Sequence, residues 1–117
     1  MRNPVLTNVA MVEKYIANAE SIGVKFNDGD MRDKSFGSTD FGNVSEAIPS
    51  IHPVFKIKTE SSNHNAGFTE STFAPENQPP TLNSAKSMAM TAIDVVCEKG
   101  LLEKVKEEFN NRPKLNM

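Results

Sequence analysis

Three sets of residues have side chains that could take part in chemistry. The first is the glycine-punctuated polar run Gly37, Ser38, Thr39 and Asp40, followed by Gly42 and Asn43, within FGSTDFGNVSEAIPSIHP (36–53). Backbone N–H groups and hydroxyls in such a loop can face a carboxylate or a developing oxyanion. The same composition also makes a plain pair of turns, with Asp40 capping local N–H groups. It is not a phosphate-cradling Walker loop, because no GK[ST] follows, and no GxGxxG opens a helix as a dinucleotide site requires. The second set is the two histidines. His64, in ESSNHNAGFTEST (60–72), stands between Asn63 and Asn65 with Glu60 and Glu70 nearby. Its imidazole could ligate a metal such as zinc, or it could be an ordinary solvated loop histidine. One histidine does not make a zinc centre, and no HExxH, HxD or CxxC spacing occurs. His52, in SIHPVF (50–55), precedes an extended segment, where a His-Pro pair is usually structural, its ring packed or bonded to backbone. The third is Cys97, in TAIDVVCEKG (91–100), an apolar helical context that predicts a buried small hydrophobe. No spacing pairs it with either histidine as nucleophile and base.

The elements that must position these residues are legible in part. Asn3 as N-cap and Pro4 in the first turn predict a helix start. Val5, Val9, Val12, Ile16 and Ala19 follow on one helical face, and Gly23 closes the helix. Residues 27–38 read as loop. In PVFKIKTE (53–60), Phe55 and Ile57 alternate with Lys56 and Lys58, the period of a half-buried strand. Pro49 and Pro53 exclude a regular central strand before residue 54. Residues 61–80 read as a second long irregular segment, a length that usually means function in a compact domain. A second helix is predicted from about 81–84. Its core, SAKSMAMTAIDVVC (84–97), is apolar on nearly every side and asks for cover on more than one. Gly100 interrupts it. LLEKVKEEF (101–109) then turns Leu101, Leu102, Val105 and Phe109 inward, and Pro113 stops the chain's last helix. The expected order is helix–loop–strand(s)–helix–helix, an α/β unit whose apolar helix wants more surface than the rest of the sequence supplies.

The bulk composition narrows the class. A chain of 117 residues with 38% hydrophobic and 24% charged residues is that of one globular domain, not a disordered segment. Net charge is −2, with lysines interleaved with glutamates. That excludes the clustered basic face of a nucleic-acid binder and a polybasic membrane anchor. No apolar run approaches the roughly 18 residues of a membrane span. MRNPVLTNVAMVEKY (1–15) lacks the apolar stretch of a signal peptide. A single cysteine allows no intramolecular disulfide, so a reducing, cytoplasmic location is expected.

The order of the pieces carries more than any one of them. GSTDFGNVS (37–45), IPSIHPVFKI (48–57), a histidine in NHNAGFTEST (63–72) and LNSAKSMAMTAIDVV (82–96) together resemble the C-terminal part of the aminoacylase/carboxypeptidase-type co-catalytic zinc amidohydrolases. The branch they are most similar to is the cytosolic dipeptidase-like and aminobenzoyl-glutamate-hydrolase-like one. The resemblance runs from about Asn3 to Val96. It implies a partial three-layer αβα metallopeptidase catalytic domain over residues 1–117, with the upstream catalytic part and the lid (dimerisation) domain absent. His64 stands where the family has its last metal ligand. Gly37, Ser38, Thr39, Asp40 and Asn43 match the turn that lines the substrate cleft, and His52 matches a His-Pro pair without an assigned role. The implied cofactor is zinc, two ions in a complete enzyme, with at most one ligand supplied here. The family's His-x-Asp pair does not occur in the sequence, and its upstream Glu-Glu pair, which holds the general base, has no counterpart ahead of these motifs. The implied function is a fragment of a dipeptidase or amidohydrolase acting on a dipeptide or N-acyl amino acid, inactive alone. Its partners would be the missing N-terminal portion or a homodimer mate. The rival reading is a stand-alone small α/β binding or interaction module without catalysis.

Overall fold

A computed structural model describes residues 5–26, 40–58 and 65–112. The described residues form five helices: α1 (Val9–Ser21), α2 (Phe41–Ala47), α3 (Ala66–Thr72), α4 (Gln78–Cys97) and α5 (Leu101–Asn111). A single 3-10 turn, Pro75–Asn77, leads into α4. No strand occurs among them, and the one β contact is an isolated parallel bridge between Thr7 and Ser50. The expected α/β, three-layer architecture is therefore corrected to an all-helical one over the described residues.

The physical reason lies in residues 54–58. Their alternation is that of a strand, but no second strand pairs with them among the described residues. Asn77 supplies the pairing instead. Its Oδ1 accepts from the Lys58 N–H at 2.6 Å, and its Nδ2 donates to the Lys58 carbonyl at 2.9 Å and the Ser71 carbonyl at 2.8 Å. One buried side chain thus satisfies both backbone groups of Lys58, which a neighbouring strand would otherwise have to pair. Val54 and Phe55 stay exposed.

Helix α1 starts at Val9, later than Asn3 and Pro4 predict, because Asn8 caps it. The Asn8 side chain accepts from the Met11 N–H at 3.2 Å, while its own Nδ2 donates to the Val105 carbonyl at 3.0 Å. Glu108 of α5 reaches the same helix start, accepting from the N–H groups of Val9 and of Ala10, the latter at 2.9 Å. A carboxylate there also opposes the positive end of the helix dipole. The close at Gly23 is as expected. Gly23 takes a positive φ of 96°, and the Val24 N–H returns to the Ala19 carbonyl.

The buried residues of α1 are Ala10, Tyr15 and Ala19; Ala19 is inward as predicted, but Val9 is about half exposed and Val12 and Ile16 are only partly buried. The cause is the partner. Helix α1 lies chiefly along α4 and, less extensively, α5. It meets α4 on a face of small polar residues, Ser84, Ser87 and Thr91, all buried. Tyr15 Oη and Ser84 Oγ are 3.1 Å apart, and Asn18 Nδ2 donates to Thr91 at 3.3 Å and Asp94 at 2.8 Å. At the far end Lys14 pairs with Glu98. That hydrogen bond holds the Lys14 ammonium above its ordinary range, against the opposing effect of burial and with help from the charges of Glu98 and Asp94. The apolar core is small: Ala10, Leu101 and Val105, with Met11 and Val95 against them. Leu102 is partly exposed rather than inward.

Helix α4 begins at Gln78, with prolines in its first turn where their missing N–H groups cost nothing. Gly100, at φ 83°, separates α4 from α5 as the sequence predicts. Two stretches read as loop are in part helical: α2 within 36–53 and α3 within 61–80. Cys97 is exposed, not buried. It sits on the last turn of α4.

Candidate functional site

Of the residues singled out for chemistry, Asp40, Gly42, Asn43, His52 and Cys97 lie among the described residues. Gly37, Ser38, Thr39 and His64 lie outside them. Asp40 immediately precedes α2, and its carbonyl accepts from the Asn43 N–H at 3.1 Å. The structure gives a short helix where the composition suggests a pair of turns, and Asp40 makes no side-chain cap on it. Asn43 lies exposed on α2. His52 is exposed too, and its ring stacks on Phe41 with centroids 5.0 Å apart and planes at 30°. The His52 ring is therefore packed, and the stack brings it to the residue that follows Asp40.

This small assembly is fastened from three directions. Ser45, fully buried, donates its hydroxyl to the Gly42 carbonyl at 2.7 Å and accepts from the Leu6 N–H at 2.9 Å. The Asn8 N–H donates to the Ser50 carbonyl at 2.9 Å, beside the Thr7 bridge, so the chain entering α1 runs along residues 45–50. From the other side Arg112, at the end of α5, donates to the Ser45 carbonyl at 2.9 Å and the Glu46 carbonyl at 2.6 Å. Its guanidinium also lies 4.1 Å over the Phe109 ring. A cation on the last carbonyls of α2 complements the negative end of that helix. Ser45, Phe41 and Arg112 are the positioning residues that sequence reasoning missed. A serine three residues after a glycine carries no signal in sequence, and the pairing of residue 112 with residues 45 and 46 is purely tertiary.

The chemistry available here is that of a polar, accessible edge: a carboxylate, an amide and an imidazole held on a fixed backbone. Among the described residues no group of three or more His, Cys, Asp or Glu could hold a metal ion. The described side chains thus do not by themselves fit the zinc centre that the resemblance implies. A shallow groove of about 500 Å³ lies elsewhere, between α1 and the start of α5, lined by Glu13, Lys14, Lys99 and Lys104 among others. None of the candidate residues borders it. No helix among the described residues is long and apolar enough to cross a membrane.

Comparison with known proteins adds what the geometry alone does not. No family model and no solved structure matches the chain. Two curated proteins do. The chain is 42% identical over 106 residues to the Xaa-Arg dipeptidase of Homo sapiens, a match covering 90% of this chain and 24% of that protein. It is likewise 42% identical over 106 residues to the Xaa-Arg dipeptidase of Mus musculus, covering 90% of this chain and 25% of that protein. The chain therefore spans about a quarter of the length of the curated relatives it matches, and within that quarter it is similar to dipeptidases.

Proposed function

We propose that this chain is the C-terminal part of a dipeptidase of the aminoacylase/carboxypeptidase-type zinc amidohydrolases, inactive by itself. The observation that carries the reading is the 42% identity to Xaa-Arg dipeptidases across nine-tenths of the chain and only a quarter of theirs. The relatives' name supports a dipeptide with a C-terminal arginine as the substrate class. It speaks for the dipeptidase side of the resemblance, while the aminobenzoyl-glutamate side gains nothing from it.

In this reading the edge made by Asp40, Asn43 and His52, with Gly37, Ser38 and Thr39 next to it in sequence, forms one wall of the substrate cleft. Its work is orientation: polar groups on a backbone fixed by Ser45, Arg112 and the Thr7–Ser50 bridge can hold a dipeptide in one pose. His64 supplies one zinc ligand, and the remaining ligands and the general base come from polypeptide that this sequence does not contain. When bound, zinc would supply the Lewis acidity for amide hydrolysis in such a site.

The test is a chimera. The matched quarter of the human Xaa-Arg dipeptidase is replaced by this chain, and hydrolysis of Xaa-Arg dipeptides is measured beside zinc content. The expected result is turnover by the chimera, none by the 117-residue chain alone, and a loss of at least 100-fold with His64→Ala. A folded, zinc-loaded chimera without dipeptide hydrolysis would sink the reading, as would turnover by the isolated chain.

A further inference from the structure

Helix α4 is inside out. The face it turns to α1 carries Ser84, Ser87 and Thr91, at 7%, 0% and 3% exposure. The opposite face carries Leu82, Ala85, Ala89, Ile93 and Val96, all exposed, with Leu82 at 56%, Ile93 at 60% and Val96 at 81%. Steps of three, four, four and three place these five on one side of the helix. The stripe runs about 21 Å, and the alanines at its middle let another backbone come close. Lys86 flanks it, and no other ionisable side chain lies between Leu82 and Ile93. Soluble helices normally place polar residues toward water and apolar ones toward the core. Here the polar face is matched to α1 by hydrogen bonds, and the apolar face is left exposed.

We propose that the outer face of α4 is an interaction surface. Its occupant is an apolar face of the longer dipeptidase polypeptide, drawn from the roughly three quarters of the relatives' length that the match does not reach. This rests on the dipeptidase reading. A match that takes in 106 of 117 residues necessarily includes α4, so in the relatives this helix belongs to a chain about four times as long. A second copy fits less well. A stripe about 21 Å long and about 10 Å wide has a footprint of roughly 200 Å², against about 800 Å² per partner in a stable dimer. A layer that continues into the rest of one large domain is under no such requirement, because α1 and its neighbours anchor the other side.

The experiment mixes the purified 117-residue chain with the human Xaa-Arg dipeptidase lacking its matched segment. It reads association by gel filtration, and hydrogen exchange over residues 82–96. The expected result is a one-to-one complex that slows exchange on α4 and is weakened at least tenfold by Ala89→Glu or Ile93→Glu. Both positions are exposed, so the chain's own helical circular dichroism should be unchanged by them, and Lys106→Glu on α5 serves as the control. The proposal is overturned if no complex forms, if the complex ignores Ala89→Glu, or if the chain instead dimerises through this face. A complex that depends on the face but hydrolyses no Xaa-Arg dipeptide would fail the functional reading alone. Restored hydrolysis indifferent to Ala89→Glu would fail the surface alone.

Discussion

Asn77 is 1% exposed and commits its whole side-chain amide to the main chain of two other segments, at Lys58 and at Ser71. Each such bond contributes about 1 kcal/mol net, and a buried carbonyl or N–H left without a partner costs more than that. Asn77→Ala removes three at once. Urea denaturation should therefore show a loss of about 2 to 3 kcal/mol, unless water enters and re-satisfies the freed groups. Lys58→Ala is the matching control: only its backbone is held, and its exposed side chain should matter by less than about 0.5 kcal/mol. Equal losses from the two would mean that the segment is held by its side chains and not by Asn77. The same residue explains a misreading. The alternation of Phe55 and Ile57 with lysines is real, but period two reports an extended backbone, not a sheet. The choice between a partner strand and a side-chain amide nineteen positions away is not written locally. Cys97 fails for a related reason: apolar neighbours in sequence fix the helix but not which side of it faces water.

At the scale of elements, α4 decides how the unit is built. Its buried Ser87 donates to the Asn83 carbonyl at 2.8 Å, and Thr91 to the Ser87 carbonyl at 2.7 Å. Their hydroxyls are thus satisfied within the helix, and small side chains let α1 lie close. Ser87→Leu should wedge the two helices apart and cost about 1 to 3 kcal/mol by overpacking. Ser87→Ala should cost less than about 1 kcal/mol, because the Asn83 carbonyl keeps its helical bond. Thermal melts of the two variants check the contrast, and equal melting temperatures would mean that α1 does not pack there. Much at this scale was legible: α1, α4 and α5 exist, Gly23 and Gly100 mark their limits, and the apolar excess of α4 was visible as a demand for further cover. Short α2 and α3 were not. Each has seven residues with a glycine near its start, too few for a periodic signal, and at least α2 is held by distant groups such as Arg112. The candidate site was legible only as an order of motifs. Its fastening through Ser45, Phe41 and Arg112 is tertiary and left no trace in spacing.

For the whole molecule, the exposed stripe of α4 sets how the chain behaves by itself. Fully burying a leucine, isoleucine or valine is worth about 1.5 to 3 kcal/mol each; scaled by how exposed they are, Leu82, Ile93 and Val96 together forgo roughly 3 to 6 kcal/mol of stabilisation. That is comparable to the entire stability of a small domain. Against it stands a described apolar core in which Leu101 and Val105 are the largest aliphatic members. Hydrogen bonding does not explain the deficit, since no buried side-chain polar atom among the described residues lacks a partner. The isolated chain should therefore keep its helical signal yet bind an apolar dye such as anilinonaphthalene sulfonate strongly. Replacing Leu82 and Ile93 by Lys and Val96 by Glu should cut dye fluorescence at least threefold while leaving far-ultraviolet circular dichroism unchanged. These side chains contact solvent, and leucine and lysine have similar helix propensity. A sharp cooperative melt of the unmodified chain, with dye binding no stronger than that of the triple variant, would show instead that these helices form a self-sufficient module. The stripe would then be a tolerated surface, not half of an interface.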